Sequence, residues 1–232
     1  MGTTFNYIGH GIYSIPDAAR LTGIHPNSIR RWVSGYNYTN HNKSSISPPV
    51  ISSTFKTLDS QVALAFLDLI EIRFINAFKK HGISLIHIRK AYKNAKNLLS
   101  SEHPFATRKF KTDGKVIIAE IASKSDDIIL IELAKNQLLI EKILQPYLFL
   151  GLEFADDDLV FRWWPMGKKQ GIVIDPEISF GKPIVFKEGI PTSTLACAYN
   201  TEKSFKTVAD WYEIHISTVK HAVEFENSLL SN

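Results

Sequence analysis

Between Ser14 and Gly35 the sequence leaves little choice of local structure. Ser14-Ile15-Pro16-Asp17 is a capping-box variant: the Ser hydroxyl takes an orphan helix N–H while the acid three residues on reaches back. Ala18-Ala19-Arg20-Leu21 continues that helix, and Thr22-Gly23 ends it. Pro26 suits the first turn of a second helix, where its missing N–H costs nothing. Ile29, Trp32 and Val33 then form a buried face, and Gly35 stops the helix. Ala19, Gly23, Ile24, Ile29 and Trp32 thus stand where a helix-turn-helix needs a small crossing residue, a turn residue tolerant of positive φ, and apolar locks.

His25, Asn27, Ser28, Arg30 and Arg31 are polar and fall on or beside the exposed face of that second helix. A helix so placed enters the major groove and offers its N-terminal residues to base edges. Arg bonds guanine bidentately and Asn bonds adenine, while either can instead anchor phosphate. Asn27, Ser28 and Arg30 are therefore expected to contact bases, and Arg31 a phosphate. A purely structural helical hairpin would share the spacing, so charge must help to decide. Residues 1–115 hold sixteen Lys and Arg against six acids, a balance of +10, whereas residues 116–232 balance at −6. A basic front half suits a polyanion, because bound cations release condensed counterions. The acidic rear half would be repelled by DNA and is expected to face another partner.

Residues 36–58, rich in Asn, Ser, Thr, Pro and Tyr, read as an extended loop or wing broken at Pro48-Pro49. Val62, Phe66, Leu69, Ile70, Phe74 and Phe78 predict an amphipathic helix over 59–80. After Gly82, Ser84 can cap another helix, lined by Leu85, Ile88, Tyr92, Ala95 and Leu99. In the middle region Thr107–Thr112 and Lys115–Ile121 flank Asp113-Gly114, which predicts a hairpin. A third strand is expected at Asp127–Leu133, a helix at 136–149 ended or kinked by Pro146, and a strand at Leu159–Trp164. Two short helices are expected within 192–228. The fold class is α+β: an N-terminal winged helix-turn-helix, a helical connector, a small mixed sheet with a helix, and a C-terminal helix-turn-helix. The corresponding segments are 1–58, 59–103, 104–166 and 167–232.

Ser14 to Ile24 followed by Ser28-Ile29-Arg30-Arg31-Trp32 resembles the DNA-binding domain of MerR-type regulators. So do Phe66 to Phe74 and His81-Gly82-Ile83-Ser84-Leu85, which look like the helix pair behind the wing of that family. The resemblance covers about residues 12–95. It implies a winged fold whose wing touches phosphate, with Lys43 as the candidate, and a homodimer that reads a palindromic duplex operator. The Asn- and Ser-rich wing and the missing dimerisation coiled coil depart from the family pattern.

The C-terminal segment echoes the first motif. Ala209, Glu213, Ile214, Val219 and Ala222 repeat its spacing, with Glu213 at the turn position and only Lys220 as a nearby base. Either a second DNA reader or, with more support from the residues, a protein-contacting element fits. Val173 to Val185, with its Asp175-Pro176 and Gly181-Lys182-Pro183, then Gly189-Ile190-Pro191-Thr192 and Val208 to Tyr212, resemble an uncharacterised domain. That domain accompanies VapB-like antitoxins that partner PIN-domain ribonuclease toxins. The resemblance implies an antitoxin and autorepressor whose rear half neutralises a PIN-like toxin. A MerR-like regulator answering to a small ligand is the alternative, and a DNA-bending protein of a mobile element a third class.

No Gly-Lys pair has a P-loop glycine ahead of it, and the eight histidines include no i, i+4 pair. Asp156-Asp157-Asp158 reads as a solvated turn, and Cys197 as a small buried residue. The expectation is therefore no catalysis, no cofactor and no metal. The start lacks signal-peptide order, Asn6 breaks a myristoylation pattern, and no apolar run could cross a bilayer, so a cytoplasmic location is expected.

Overall fold

A computed structural model describes residues 9–40, 43–55, 62–123, 131 and 146–230. The chain is mixed α and β and divides into two compact units: Ser14–Phe149 with Phe154–Val160, and Met1–Tyr13 with Leu150–Glu153 and Phe161–Asn232.

Strand β1 (Tyr13–Ser14) leads into the first unit's helices α1 (Ile15–Thr22) and α2 (Pro26–Ser34). The segment expected to be extended pairs with itself: β2 (Tyr36–Asn40) and β3 (Lys43–Ser47) form an antiparallel hairpin, with Tyr36 opposite Ser47 and Asn40 opposite Lys43. Gly35 makes this possible. Its φ is +71°, and a Cβ there would lie 2.5 Å from the Ser47 carbonyl oxygen. After β4 (Ala63–Leu64) come α3 (Phe66–Lys80) and α4 (Leu85–Leu99). The helix expected from residue 59 thus begins at Phe66, because the Asp68 carboxylate accepts the Ala65 N–H at 2.9 Å while Ala65 stays extended. Helix α3 is buried almost all round, including Phe66, Leu69, Ile70, Ile72, Phe74 and Ile75.

The hairpin expected around Asp113-Gly114 is a helix instead, α5 (Arg108–Ser123), with a kink at Asp113 (φ −116°, ψ 15°). Phe110, Gly114, Ile117, Ile118, Ile121 and Ala122 are buried at helical spacing, so the tertiary core selected the 3.6-residue period over local turn chemistry. The Thr107 hydroxyl caps the helix by accepting the Phe110 N–H at 3.1 Å. Phe110 then meets Phe74 edge-on at 5.6 Å, and Phe105 and Phe149 complete the aromatic core around Phe74. The strand expected at 127–133 lies outside the described residues but for Ile131, as does the expected helix 136–149 up to α6 (Pro146–Phe149).

The second unit is built on a five-stranded sheet in the order β5 (Leu152–Phe154), β6 (Val160–Trp163), β7 (Ile172–Ile174), β8 (Pro183–Val185) and β9 (Ile190–Pro191). Strands β6 to β9 pair antiparallel. Arg162 in β6 donates to the buried Asp175 carboxylate at 2.7 and 2.8 Å. Helices α7 (Thr192–Glu202), α8 (Phe205–Tyr212) and α9 (Ile216–Leu230) follow, three where two were expected. Cys197 is exposed rather than buried, because Leu195 and Ala196 take the inward positions of α7. Asp156 and Asp157 are exposed in a turn, with the Asp157 carboxylate accepting the Leu159 N–H at 3.1 Å.

Candidate nucleic-acid interface

The helix-turn-helix is set by local bonds that the sequence announces. Ser14 Oγ accepts the Asp17 N–H at 3.2 Å, and Asp17 Oδ2 accepts the Ser14 N–H at 3.1 Å, closing the capping box. Gly23 adopts the left-handed conformation (φ 66°) and donates its N–H to the Ala19 carbonyl at 2.9 Å. Ala18 rather than Ala19 is the fully buried small residue of α1, joined by Ile24, Ile29, Trp32 and Val33.

This burial leaves one face of α2 in solvent. His25, Asn27, Arg30 and Arg31 are exposed and Ser28 is half-buried. The His25 ring caps α2, its Nδ1 accepting the Asn27 N–H at 3.2 Å. Arg30 donates to the Asn27 side-chain oxygen at 3.1 Å, so the two present a joined polar surface. The Arg31 guanidinium lies over the Tyr36 ring, 5.2 Å from its centroid, which holds a cation where α2 meets the hairpin. Lys43 opens β3 at the hairpin's turn end, where its backbone pairs with Asn40. Tyr38 and Ile46 are exposed on the same hairpin. The structure thus brings His25, Asn27, Ser28, Arg30 and Arg31 together on one helix and places Lys43 on the adjoining hairpin.

Sequence reasoning did not find the residues that hold this interface in place. Arg89 of α4 donates to the carbonyls of Pro49 (2.9 Å) and Pro48 (2.5 Å) and to Ser47 Oγ (3.1 Å), fastening the hairpin's exit. The next residues, Val50 and Ile51, donate their N–H groups to the Trp32 carbonyl at the end of α2. No periodicity marks Arg89, because its partners, two carbonyls and one hydroxyl, lie some forty residues away.

Thr54 ends this strap on a buried polar cluster. Asp68 accepts from the Thr54 N–H (3.0 Å) and hydroxyl (2.9 Å) and from Ala65. Glu71, three residues along α3, accepts from the Tyr92 hydroxyl (2.8 Å) and the Phe105 N–H (3.3 Å), with His103 Nδ1 at 3.2 Å. Asp68, Glu71 and His103 lie close enough to share a cation. Their oxygens, however, already face N–H and O–H donors, and a cation would have to displace these. Burial raises the pKa of both carboxyls, partly offset by the backbone bonds to Asp68 and by the His103 bond to Glu71. Burial works against the His103 imidazolium, yet the Glu71 bond and the charges of Glu71 and Asp68 outweigh it and raise its pKa.

All three shifts have one sign, so the folded cluster holds its protons more tightly than the unfolded chain. Its contribution from His103 is complete below the ordinary value of 6.5 and is lost as pH rises through the higher folded value. The raised carboxyls act in the same direction from lower pH. Urea unfolding should therefore show wild type losing more stability than His103→Gln as pH rises above the ordinary histidine value of 6.5. Equal losses would show that His103 is not held protonated.

The second unit repeats the motif. Ser204 caps α8 by accepting the Thr207 N–H at 3.2 Å, Glu213 takes the left-handed turn position (φ 54°), and His215 Nδ1 caps α9 through the Ser217 N–H at 3.2 Å. Trp211 stands where the first motif buries Leu21, yet it is 62% exposed against 8% for Leu21. Lys220 and His221 replace Arg30 and Arg31.

The two-helix geometry with its polar α2 face defines the helix-turn-helix class. Residues 11–92 match the family described as "Putative DNA-binding HTH domain", and residues 172–225 match one described as "Protein of unknown function (DUF433)". The chain is similar to the "Putative antitoxin VapB45" of Mycobacterium tuberculosis (strain ATCC 25618 / H37Rv), with 24% identity over 224 residues covering 92% of each protein. It shares its fold with the crystal structure of Rv2018 from Mycobacterium tuberculosis at a TM-score of 0.71 and 19% identity, over 94% of this chain and 99% of that one. Among the described residues no helix is long and apolar enough to cross a membrane.

Proposed function

We propose that this chain is a DNA-binding antitoxin that represses its own operon and neutralises a PIN-like ribonuclease toxin in the cytoplasm. The observation that carries the reading is the exposed Asn27–Arg30 surface on α2, in a chain similar along most of its length to a protein named as an antitoxin. In this reading the module within residues 1–58 is a MerR-like winged helix-turn-helix. Asn27, Ser28 and Arg30 read bases, Arg31 and the hairpin's Lys43 hold phosphate, and His25 orders the helix start beside them. Two copies bind a palindromic operator, one half-site each. The segment 167–232 faces the toxin, consistent with a second helix-turn-helix that has exchanged arginines for Lys220 and His221 and exposes Trp211. No catalytic step is assigned to this chain.

Co-expression with the neighbouring reading frame tests the antitoxin half. The neighbour's product should arrest growth alone, and should be silent and co-purify when this chain is present. A harmless neighbour that does not co-purify overturns it. Within the DNA-binding half, Arg31→Ala should lower affinity for all duplexes alike and reduce the salt dependence by about one released ion. A loss confined to one base position would instead make Arg31 a base reader.

A further inference from the structure

Along α4 the first unit holds a half-open cleft of about 620 Å³, within the usual range for small-molecule sites. One wall is the strap Val50, Ser52, Ser53 and Thr54; the other is α4, which presents Arg89, Lys93, Lys96 and Asn97. Among the described residues that line it, Arg89, Lys93, Lys96 and His103 stand against one acid, Glu102, whose carboxylate is already bonded to Lys96 at 2.5 Å. That pairing holds the Glu102 carboxyl below its ordinary pKa. The Ser52 hydroxyl and the Asn97 amide supply neutral hydrogen-bonding partners beside the charges. A net positive, donor-rich cleft of this size fits a small molecule bearing carboxylate or phosphate groups.

The strap wall gives such a ligand leverage. Its residues are bonded to the end of α2 through Trp32, and to Asp68 through Thr54. The hairpin's exit is held by Arg89, from the opposite wall of the same cleft. A molecule bridging the two walls therefore touches both anchors of the hairpin and the backbone that follows the exposed helix.

We propose that the cleft between α4 and the Val50–Thr54 strap binds a small organic or inorganic polyanion, and that occupancy fixes the strap and hairpin relative to α2. The inference does not depend on a toxin partner, since every residue in it belongs to the first unit.

The test uses the full chain titrated separately with citrate and with pyrophosphate, with sucrose as a neutral control, followed by calorimetry and amide chemical shifts. Saturable binding is expected for at least one anion, with shifts at Ser52–Thr54 and Lys93–Asn97 that extend into the hairpin. Preference for one anion identifies the source as carboxylate or phosphate. Lys93→Glu, at an exposed position, should weaken binding by about tenfold or more while leaving the melting temperature unchanged. Absence of saturable binding at millimolar concentration overturns the site. So does binding that Lys93→Glu leaves intact, or shifts confined to Asn27–Arg31, which would place the anion on the exposed α2 face.

Discussion

Trp32→Ala should destabilise the first unit by about 3–5 kcal/mol, the range for deleting a large buried aromatic side chain. Trp32 is 5% exposed and stands in the last full turn of α2, between the exposed arginines and the core. Its backbone carbonyl also receives the strap through Val50 and Ile51. Loss of the indole therefore opens a cavity at the point where helix and strap are joined. Urea unfolding followed by circular dichroism measures the loss, and DNA binding should fall in step with the folded fraction. A change below about 1 kcal/mol would mean that α2 is not packed as described.

Asp68→Ala should cost about 3 kcal/mol, because it strands the N–H groups of Thr54 and Ala65 and the Thr54 hydroxyl without their acceptor. Relief from burying a carboxylate offsets part of this, so the effect depends on pH. The penalty should be largest in mild acid, where the raised pKa keeps the folded carboxyl inexpensive, and should shrink as pH rises and the wild-type charge becomes costly. Amide exchange at Thr54 and Ala65 should accelerate ahead of the rest of the unit. Unchanged protection at both would refute the role given to Asp68.

How much of this was legible in the sequence depended on how local the determinants were. The Ser14–Asp17 box, Gly23 and Pro26 fix their neighbourhood within a few residues, and both helices of the motif lie where the pattern placed them. The hairpin's pairing was less visible, since a run of Asn, Ser and Tyr has neither strand nor helix period. Asp113-Gly114 misled because its turn chemistry is local while Phe110, Ile117 and Ile121 are committed to a core formed by residues far away. The short strands β7 and β8, three residues each, are too brief for alternation to show. At the candidate interface the polar face of α2 was readable, but its supports were not. Apart from the local Ala65–Asp68 bond, Arg89, Asp68, Glu71 and His103 act on partners from 14 to 42 residues distant, and only the folded chain brings them together.

Helix α2 is proposed to read duplex DNA. Fluorescence anisotropy of the full chain on the DNA upstream of its own reading frame, repeated with Arg30→Ala, tests it most directly. Specific, salt-dependent binding is predicted, with Arg30→Ala losing about 1–3 kcal/mol and relaxing preference at one base position. Identical affinity of wild type and Arg30→Ala for every duplex would contradict it.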